Sequence, residues 1–345
     1  MYPIDIRGTG IVSHCVARLC QRSGFHDLAL QPYDPEQSVP EPPALTLGAN
    51  QTRILAALGL QNALYEVAHR PDREQVRLAR SRYLVAEMPL GQFYQDRYGA
   101  AMINLTRAEL SDLVKTSLPA NSTDATTSTT TQRQASLTIE TEAPLEADGP
   151  WRLDYVELPA THTIANVTWL ARNAVAWQFS SRNADHLYLL RSANSPLDEN
   201  DWHGSLWALL EAVEPVHQVQ ASNQVRQHWV AGDWVFVGQA CLPYHAMRRE
   251  TWFTGLEDAW VLSRMLENYE EAMHEGLASF ETYRKPRAER IARHNDALLK
   301  ETLRTSAAAR TMRNIGIGLR NRFLPEIAMQ RIDWLYGYDC IRGFH

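Results

Sequence analysis

Gly8, Gly10 and Ser13, in the run Gly8-Thr9-Gly10-Ile11-Val12-Ser13, are the residues whose types and spacing best suit chemistry. They match the turn that brings a dinucleotide pyrophosphate against a helix. The first glycine permits the tight turn, and the second lets backbone approach the phosphates. A small third residue allows close packing of helix on strand. The pattern alone is weak, but a short apolar run, Tyr2–Ile6, precedes it and a helical pattern to about Ser23 follows. That is the context the turn requires. An acid for the ribose hydroxyls belongs about 20 residues further on. The position falls on Gln31, whose amide bonds a hydroxyl without the charge that strengthens the bond. The alternative is that Gln31 only ends a strand; Asp34 and Glu36 lie nearby, beyond Pro32.

A second segment has the same texture. The apolar run Trp234–Val237 leads into Gly238-Gln239, then a loop, then an amphipathic helix from Gly255. His245 in that loop is the one weak candidate for a catalytic base, and a histidine so placed also serves as an ordinary loop or core residue. Other chemistries find less support. The twelve histidines are dispersed, and the four cysteines, Cys15, Cys20, Cys241 and Cys340, lack CxxC spacing. Neither a zinc site nor a disulfide frame is expected, and the cysteines read as reduced thiols. HExxH, GxSxG and Walker A patterns are missing.

The elements that must position these residues alternate between helix and strand. After the first turn, Gly24 ends a helix and Asp27–Leu30 reads as a strand, half of a βαβ unit. Residues 32–43 hold five prolines and read as a loop. Gln51–Val67 reads as one helix, Gln75–Ala86 as one strand, and Leu105–Leu118 as a helix with Thr106 and Glu109 in a capping box. Residues 119–136 are rich in Ser and Thr and cannot support a core, so they read as a linker. Beyond it Leu137–Thr141, Trp151–Leu158, Ala174–Ser180 and His186–Arg191 read as strands, with Asp148-Gly149 a hairpin turn between the first two. Trp207–Glu214 reads as a short helix, and from Gly255 onward the chain is largely helical. Trp177, Trp229 and Trp234 are expected in the core, with some tryptophans available to line an aromatic pocket.

Bulk properties bound the rest. The chain has 345 residues, 45% apolar and 21% charged, with a formal net charge of −6 and both signs dispersed. It can bury a large core as one big or two smaller domains. The charge gives no footprint for nucleic acid. No signal-like apolar start and no spanning run of about 18 apolar residues is present.

Taken in order, the GTGIVS turn, the 105–118 helix carrying Arg107, and residues 232–266 resemble the FAD-dependent aromatic hydroxylases, the para-hydroxybenzoate hydroxylase-like flavoprotein monooxygenases. The nearest resemblance is to the ubiquinone-biosynthesis hydroxylases. The tail, including Arg313-Asn314-Ile315-Gly316 and Pro325, is similar to the helical ending of those enzymes. The resemblance covers most of the chain outside roughly 119–230. It implies an α/β fold: a Rossmann-like FAD-binding domain from residues 1–118 and 232–300, a linker at 119–136, a β-sheet substrate domain at 137–231, and a helical C-terminus at 301–345. It further implies that Gly8, Gly10 and Ser13 line the FAD pyrophosphate and Gln31 the adenosine ribose. Arg107 is placed near the phosphates, and Gly238-Gln239 stands where the family has Gly-Asp, beside the ribityl or phosphate region. His245 falls where the ubiquinone subfamily has a histidine before proline, followed here by Ala246.

Two departures accompany the likeness. Where the family has glycines facing the flavin ring, this chain reads Arg248-Arg249-Glu250-Thr251-Trp252-Phe253. Side chains on Arg249 and Thr251 crowd a close backbone–flavin contact. The family's strand with Asp-Gly and a serine–arginine pair has only Ala147-Asp148-Gly149-Pro150-Trp151 as a superficial counterpart, which reads better as a hairpin. Three functions follow. One is hydroxylation of a phenolic or quinone-precursor ring with FAD, NAD(P)H and O2. The second is a flavin-poor pseudoenzyme that binds an aromatic or prenylated ligand or a partner in a biosynthetic complex. The third, a plain nicotinamide-binding protein, leaves residues 232–266 unexplained. The expected setting is cytoplasmic, with no nucleic-acid partner. A homodimer and contact with the inner membrane surface stay open. Ile315–Ile341 mixes arginines with apolar and aromatic residues, as either an interfacial helix or a helix packed on the domain would.

Overall fold

The computed structural model describes residues 2–32, 42–116, 136–142, 151–161, 163–192, 196–211, 225–242, 254–303, 311–312, 314, 316, 318 and 325–344. In chain order the elements are β1 (Ile4–Arg7), α1 (Ile11–Arg22), β2 (Leu28–Gln31), β3 (Ala44–Leu47), α2 (Ala49–Ala57), α3 (Gln61–Val67), β4 (Arg73–Leu78), β5 (Leu84–Pro89), α4 (Gly91–Tyr98), β6 (Ile103–Thr106) and α5 (Arg107–Thr116). The expected linker, 119–136, lies almost wholly outside the described residues; beyond it come β7 (Leu137–Glu140), β8 (Trp151–Pro159), β9 (Ala165–Leu170), β10 (Ala174–Ser180), β11 (Ala184–Ser192), α6 (Gly204–Glu211), β12 (Val230–Ala231), β13 (Trp234–Phe236), α7 (Gly255–Asn268), α8 (Met273–Thr302) and α9 (Pro325–Tyr336).

Two main sheets carry the fold. The first has the order β12-β13-β7-β1-β2, parallel from β13 to β2. Its strands are short and alternate: Ile4, Ile6, Leu137, Ile139 and Val235 share one fully buried apolar face, while Asp5, Thr138 and Glu140 lie on the other. Helix α1 lays Ile11, Cys15, Val16 and Leu19 on it and packs against α7. The second sheet has the order β5-β4-β9-β10-β11-β8, antiparallel except where β4 meets β9. Alternation splits its faces. Leu153, Tyr155, Val175, Trp177, Phe179, Tyr188 and Leu190 join the core that contains the first sheet. Val167, Trp169, Ala176, Leu187 and Leu189 pack instead beneath Trp202, Leu206 and Leu210 of the α6 region. The α/β class with a Rossmann-like sheet, a separate β-sheet layer and a helical C-terminus is therefore as expected.

Several elements differ from the sequence expectation. The 51–67 helix is two helices, broken where Gly59 takes φ +83°. The 75–86 strand is the hairpin β4–β5; its turn uses Arg82 at φ +58°, with no glycine to mark it. Strand β9 was not expected. The proposed hairpin across Asp148-Gly149 does not form, because β7 and β8 lie in different sheets; residues 143–150 are outside the described set. Trp177 and Trp229 are buried, but Trp234 is 37% exposed on β13, with the Arg7 guanidinium 5.3 Å from its ring. The Thr106–Glu109 capping box is formed: the Glu109 carboxylate accepts from Thr106 N at 2.7 Å, and Glu109 N donates to Thr106 Oγ1 at 3.2 Å. All four cysteines are buried, and none forms a disulfide. The described end of the tail packs on the domain, with Met329, Leu335 and Tyr336 in one cluster with Tyr94 and Tyr98. Arg53 ties it down through the carbonyls of Tyr336 and Tyr338.

Candidate functional site

The glycine turn sits at the C-terminal end of the parallel strands, where open α/β sheets bind ligands. Gly8 follows β1 at φ +126°, a conformation that favours glycine. A Cβ there would lie 2.3 Å from Thr141 Oγ1, 2.6 Å from Ser13 Oγ and 2.8 Å from Glu142 Oε1. Ser13 is fully buried, and its Oγ lies 2.6 Å from Thr141 Oγ1. The small third residue thus serves close packing, as expected, and adds a bond to the end of β7. The backbone N–H groups of Thr9 and Gly10, at the N-terminus of α1, donate to Glu142 Oε1 at 2.8 and 3.3 Å. Gln31 ends β2, exposed; its amide donates to Asp5 Oδ2 at 2.6 Å.

Gly238 meets the same end of α1 from the other side. It takes φ +60°, and a Cβ on it would lie 3.2 Å from Val12 Cγ1. A Cβ on Gly255, the first residue of α7, would lie 2.7 Å from Gly238 Cα and 2.9 Å from Val12 Cγ2. Both glycines are there because three backbones converge. Gln239 is buried, and its Oε1 has no hydrogen-bond partner among the described residues. A buried acceptor left without a donor is costly and marks a place where a ligand donor fits. Arg107 opens α5 with an exposed side chain, and its N–H donates to Pro43 O at 2.8 Å. His245 and residues 248–253 lie outside the described residues.

A buried ion network fixes this geometry. Asp258 Oδ2 accepts from Gly238 N at 3.0 Å, and Asp258 Oδ1 accepts from Arg284 Nε at 2.7 Å. Arg284 also meets Glu257 at 2.8 Å, and Arg287 meets Glu257 at 2.6 Å. Asn50 donates to the same carboxylate at 2.7 Å. Burial alone would raise the Glu257 pKa, but Arg287 and Arg284 outweigh it and hold it at about 2. Burial would lower that of Arg284, but Asp258 and Glu257 outweigh it and keep the guanidinium charged. The two arginines on α8 and the two acids on α7 therefore neutralise one another while pinning the Gly238 turn.

The inner face of the second sheet is aromatic. Phe179 pairs with His186, and Trp177 and Tyr155 flank Tyr188, in cross-strand register. His186 is fully buried, with Nδ1 2.9 Å from Tyr155 Oη and Nε2 2.9 Å from Ser181 Oγ. Burial pushes its pKa down to about 4, so the ring is neutral near pH 7. Tyr188 Oη bridges the backbone of Ala44, accepting from its N–H at 3.0 Å and donating to its C=O at 2.9 Å, which joins the second sheet to β3.

The structure thus brings Gly8, Gly10, Ser13 and Gly238 together at α1, with Gln239 adjoining Gly238. Sequence reasoning missed Glu142 and the His186 face. Glu142 could have been found by asking which strand follows the linker. Strand β7 lies beside β1 and is followed at once by Thr141-Glu142-Ala143. Those residues, rather than Asp148-Gly149, follow directly on the strand that pairs with β1.

No family model matches the chain. The 6-hydroxynicotinate 3-monooxygenase of Pseudomonas fluorescens is 23% identical over 355 residues, covering 86% of this chain and 91% of that protein. Among solved structures, a salicylate hydroxylase in a substrate complex superposes with a TM-score of 0.75 at 14% identity, over 98% of this chain and 96% of that one. HpxO of Klebsiella pneumoniae, complexed with FAD and uric acid, gives 0.71 at 15% identity, over 95% and 96%. Over nearly its whole length, the chain has the fold of the FAD-dependent aromatic hydroxylases that its sequence resembles.

Proposed function

We propose that this protein is a flavoprotein monooxygenase that hydroxylates a small, electron-rich aromatic ring, with FAD as cofactor, NAD(P)H as reductant and O2 as the oxygen source. The observation that carries this is the convergence of the Gly8 turn, Gly238 and Gly255 on the first turn of α1, in a fold shared with FAD-bound structures. The backbone cradle fits a dinucleotide phosphate, and the unpartnered Gln239 Oε1 fits a hydroxyl donor such as a ribityl group. One side chain does not fit as it stands: Glu142 lies on the amides that phosphate would use.

The turn of Gly8 and Gly10 would take the pyrophosphate, with the buried Ser13 supporting it from beneath; Gly238 and Gln239 would take the ribityl region, and Gln31 the adenosine ribose. Arg107 would add positive charge near the phosphates. Bound FAD would supply reduction of O2 and delivery of one oxygen atom to the ring. The aromatic face of Tyr155, Trp177, Phe179 and Tyr188 would form an apolar wall that excludes water. His186, neutral and held between two hydroxyl groups, would keep that wall free of charge. No side chain needs to act as a nucleophile. The relatives do not favour the flavin-poor alternative.

The test is to purify the protein, titrate it with FAD, and supply NADH or NADPH with a panel of hydroxylated benzoates, hydroxypyridines, purines and prenylated phenols. Substrate-stimulated nicotinamide oxidation, with one atom from 18O2 in the product, is the expected outcome. A protein that takes up no FAD in either the native form or the Glu142 variants below refutes the assignment.

A further inference from the structure

The first turn of α1 already holds an anion, and that anion belongs to the chain. Glu142 Oε1 accepts from Thr9 N at 2.8 Å and Gly10 N at 3.3 Å. The same oxygen lies 2.8 Å from the point where a Cβ on Gly8 would stand. The carboxylate therefore fills the space left by the glycine and takes the amide donors that the helix end offers to an anion. Resting on the flavin assignment above, we infer that Glu142 is an internal stand-in for the pyrophosphate, and that the cofactor is admitted only when this side chain swings away.

The backbone around Glu142 makes a side-chain motion sufficient. Thr141 is pinned by its N–H to Arg7 O at 3.1 Å and by its Oγ1 to the same carbonyl at 2.9 Å. It is bonded as well to Ser13 Oγ at 2.6 Å. Glu140, the residue before it, accepts from Val237 N at 2.9 Å through its carbonyl. The strand end is thus fixed on both sides, and Glu142 itself is half-buried, with a route to solvent. Two anions cannot share these amides without strong repulsion in a partly desolvated place. Chain length matters too. An aspartate is one methylene shorter, and from the same fixed backbone its carboxylate would withdraw from α1. With glutamate, the empty protein keeps its helix N-terminus satisfied, and the ligand must displace a tethered competitor.

The test compares the native protein with Glu142→Ala, Glu142→Gln and Glu142→Asp. Each is titrated by calorimetry with FAD and, as flavin-free probes, with ADP and inorganic pyrophosphate. Glu142→Gln keeps the shape and a hydrogen-bond acceptor, so it guards against a variant that fails to fold. Loss of one charge-assisted competitor should tighten ADP and FAD by about tenfold or more in Glu142→Ala, with smaller gains in Glu142→Gln and Glu142→Asp. Equal affinities in the native protein and all three variants would overturn the inference while leaving the flavin assignment standing. Tighter ADP and pyrophosphate without any FAD uptake would support the internal anion and remove the flavin assignment. Variants that fold and bind none of the three would overturn the inference as well.

Discussion

Replacing Asp258 with alanine should cost about 3–5 kcal/mol of folding stability, the loss seen when one partner of a buried ion pair is removed. The carboxylate is 2% exposed and serves two partners: Arg284 Nε at 2.7 Å and Gly238 N at 3.0 Å. Truncation leaves Arg284, itself 1% exposed, with Glu257 as its remaining carboxylate. It also strands the Gly238 N–H, a loss of about 1–3 kcal/mol by itself. The two terms overlap, so their full sum is not expected. The local balance of two acids against two arginines shifts to one against two. Asp258→Asn should lose less, about 2–3 kcal/mol, because its amide oxygen can still accept from Gly238 while the charge is gone. Urea unfolding followed by tryptophan fluorescence reads both variants, provided the transition is a single cooperative one. If Asp258→Ala unfolds within about 1 kcal/mol of the native protein, the network does not anchor the Gly238 turn as described.

Three further perturbations probe other parts of the same structure. Two groups should weaken the protein in acid, in separate windows. His186 titrates at about 4 when folded against 6.5 unfolded, so between those values only the unfolded chain takes the proton. About 3 kcal/mol present above pH 6.5 is then lost as the pH falls to 4. Glu257, at about 2 folded against 4.5 unfolded, contributes a similar amount above pH 4.5 that disappears towards pH 2. His186→Gln should remove the first phase and leave the second, which stability measured across pH would show. Gly8→Ala should destabilise by about 1–3 kcal/mol, since φ +126° is unsuited to alanine and the new Cβ meets a hydrogen-bonded Thr141 Oγ1 at 2.3 Å; an unchanged melting temperature would contradict this. Tyr188→Phe should cost about 2 kcal/mol by releasing both backbone groups of Ala44 from their bridge, and an unchanged urea midpoint would show that other groups take them over.

What could be read from the sequence was whatever a short stretch of chain dictates by itself. Gly8 announces a turn because its backbone, at φ +126°, favours glycine, and the Thr106–Glu109 box closes over four residues. Where the controlling contact is distant, local patterns misled. Asp148-Gly149 is a good hairpin signal, yet β7 pairs with β1, far back in the chain, rather than with β8. The β4–β5 turn carries Arg82 in the left-handed region, so composition concealed the reversal. Trp234 was assigned to the core on hydrophobicity, but β13 leaves its ring half-exposed beside Arg7.

Glu142 shows why the candidate site was less legible than the fold. Its carboxylate meets Thr9, 133 residues earlier, only because β7 is inserted in the parallel sheet next to β1. The resemblance points to an Asp-Gly pair and so to residues 147–151, which lie a few positions beyond this strand end. Once the strand is placed, an acid follows it at the right point, but one methylene longer than aspartate and followed by alanine. A glycine pattern reports that the backbone can receive a phosphate. Whether the phosphate finds the place free depends on a side chain delivered from another strand, and that depends on strand pairing. Affinity for the proposed cofactor should therefore be governed as much by Glu142, two residues beyond β7, as by the glycines after β1.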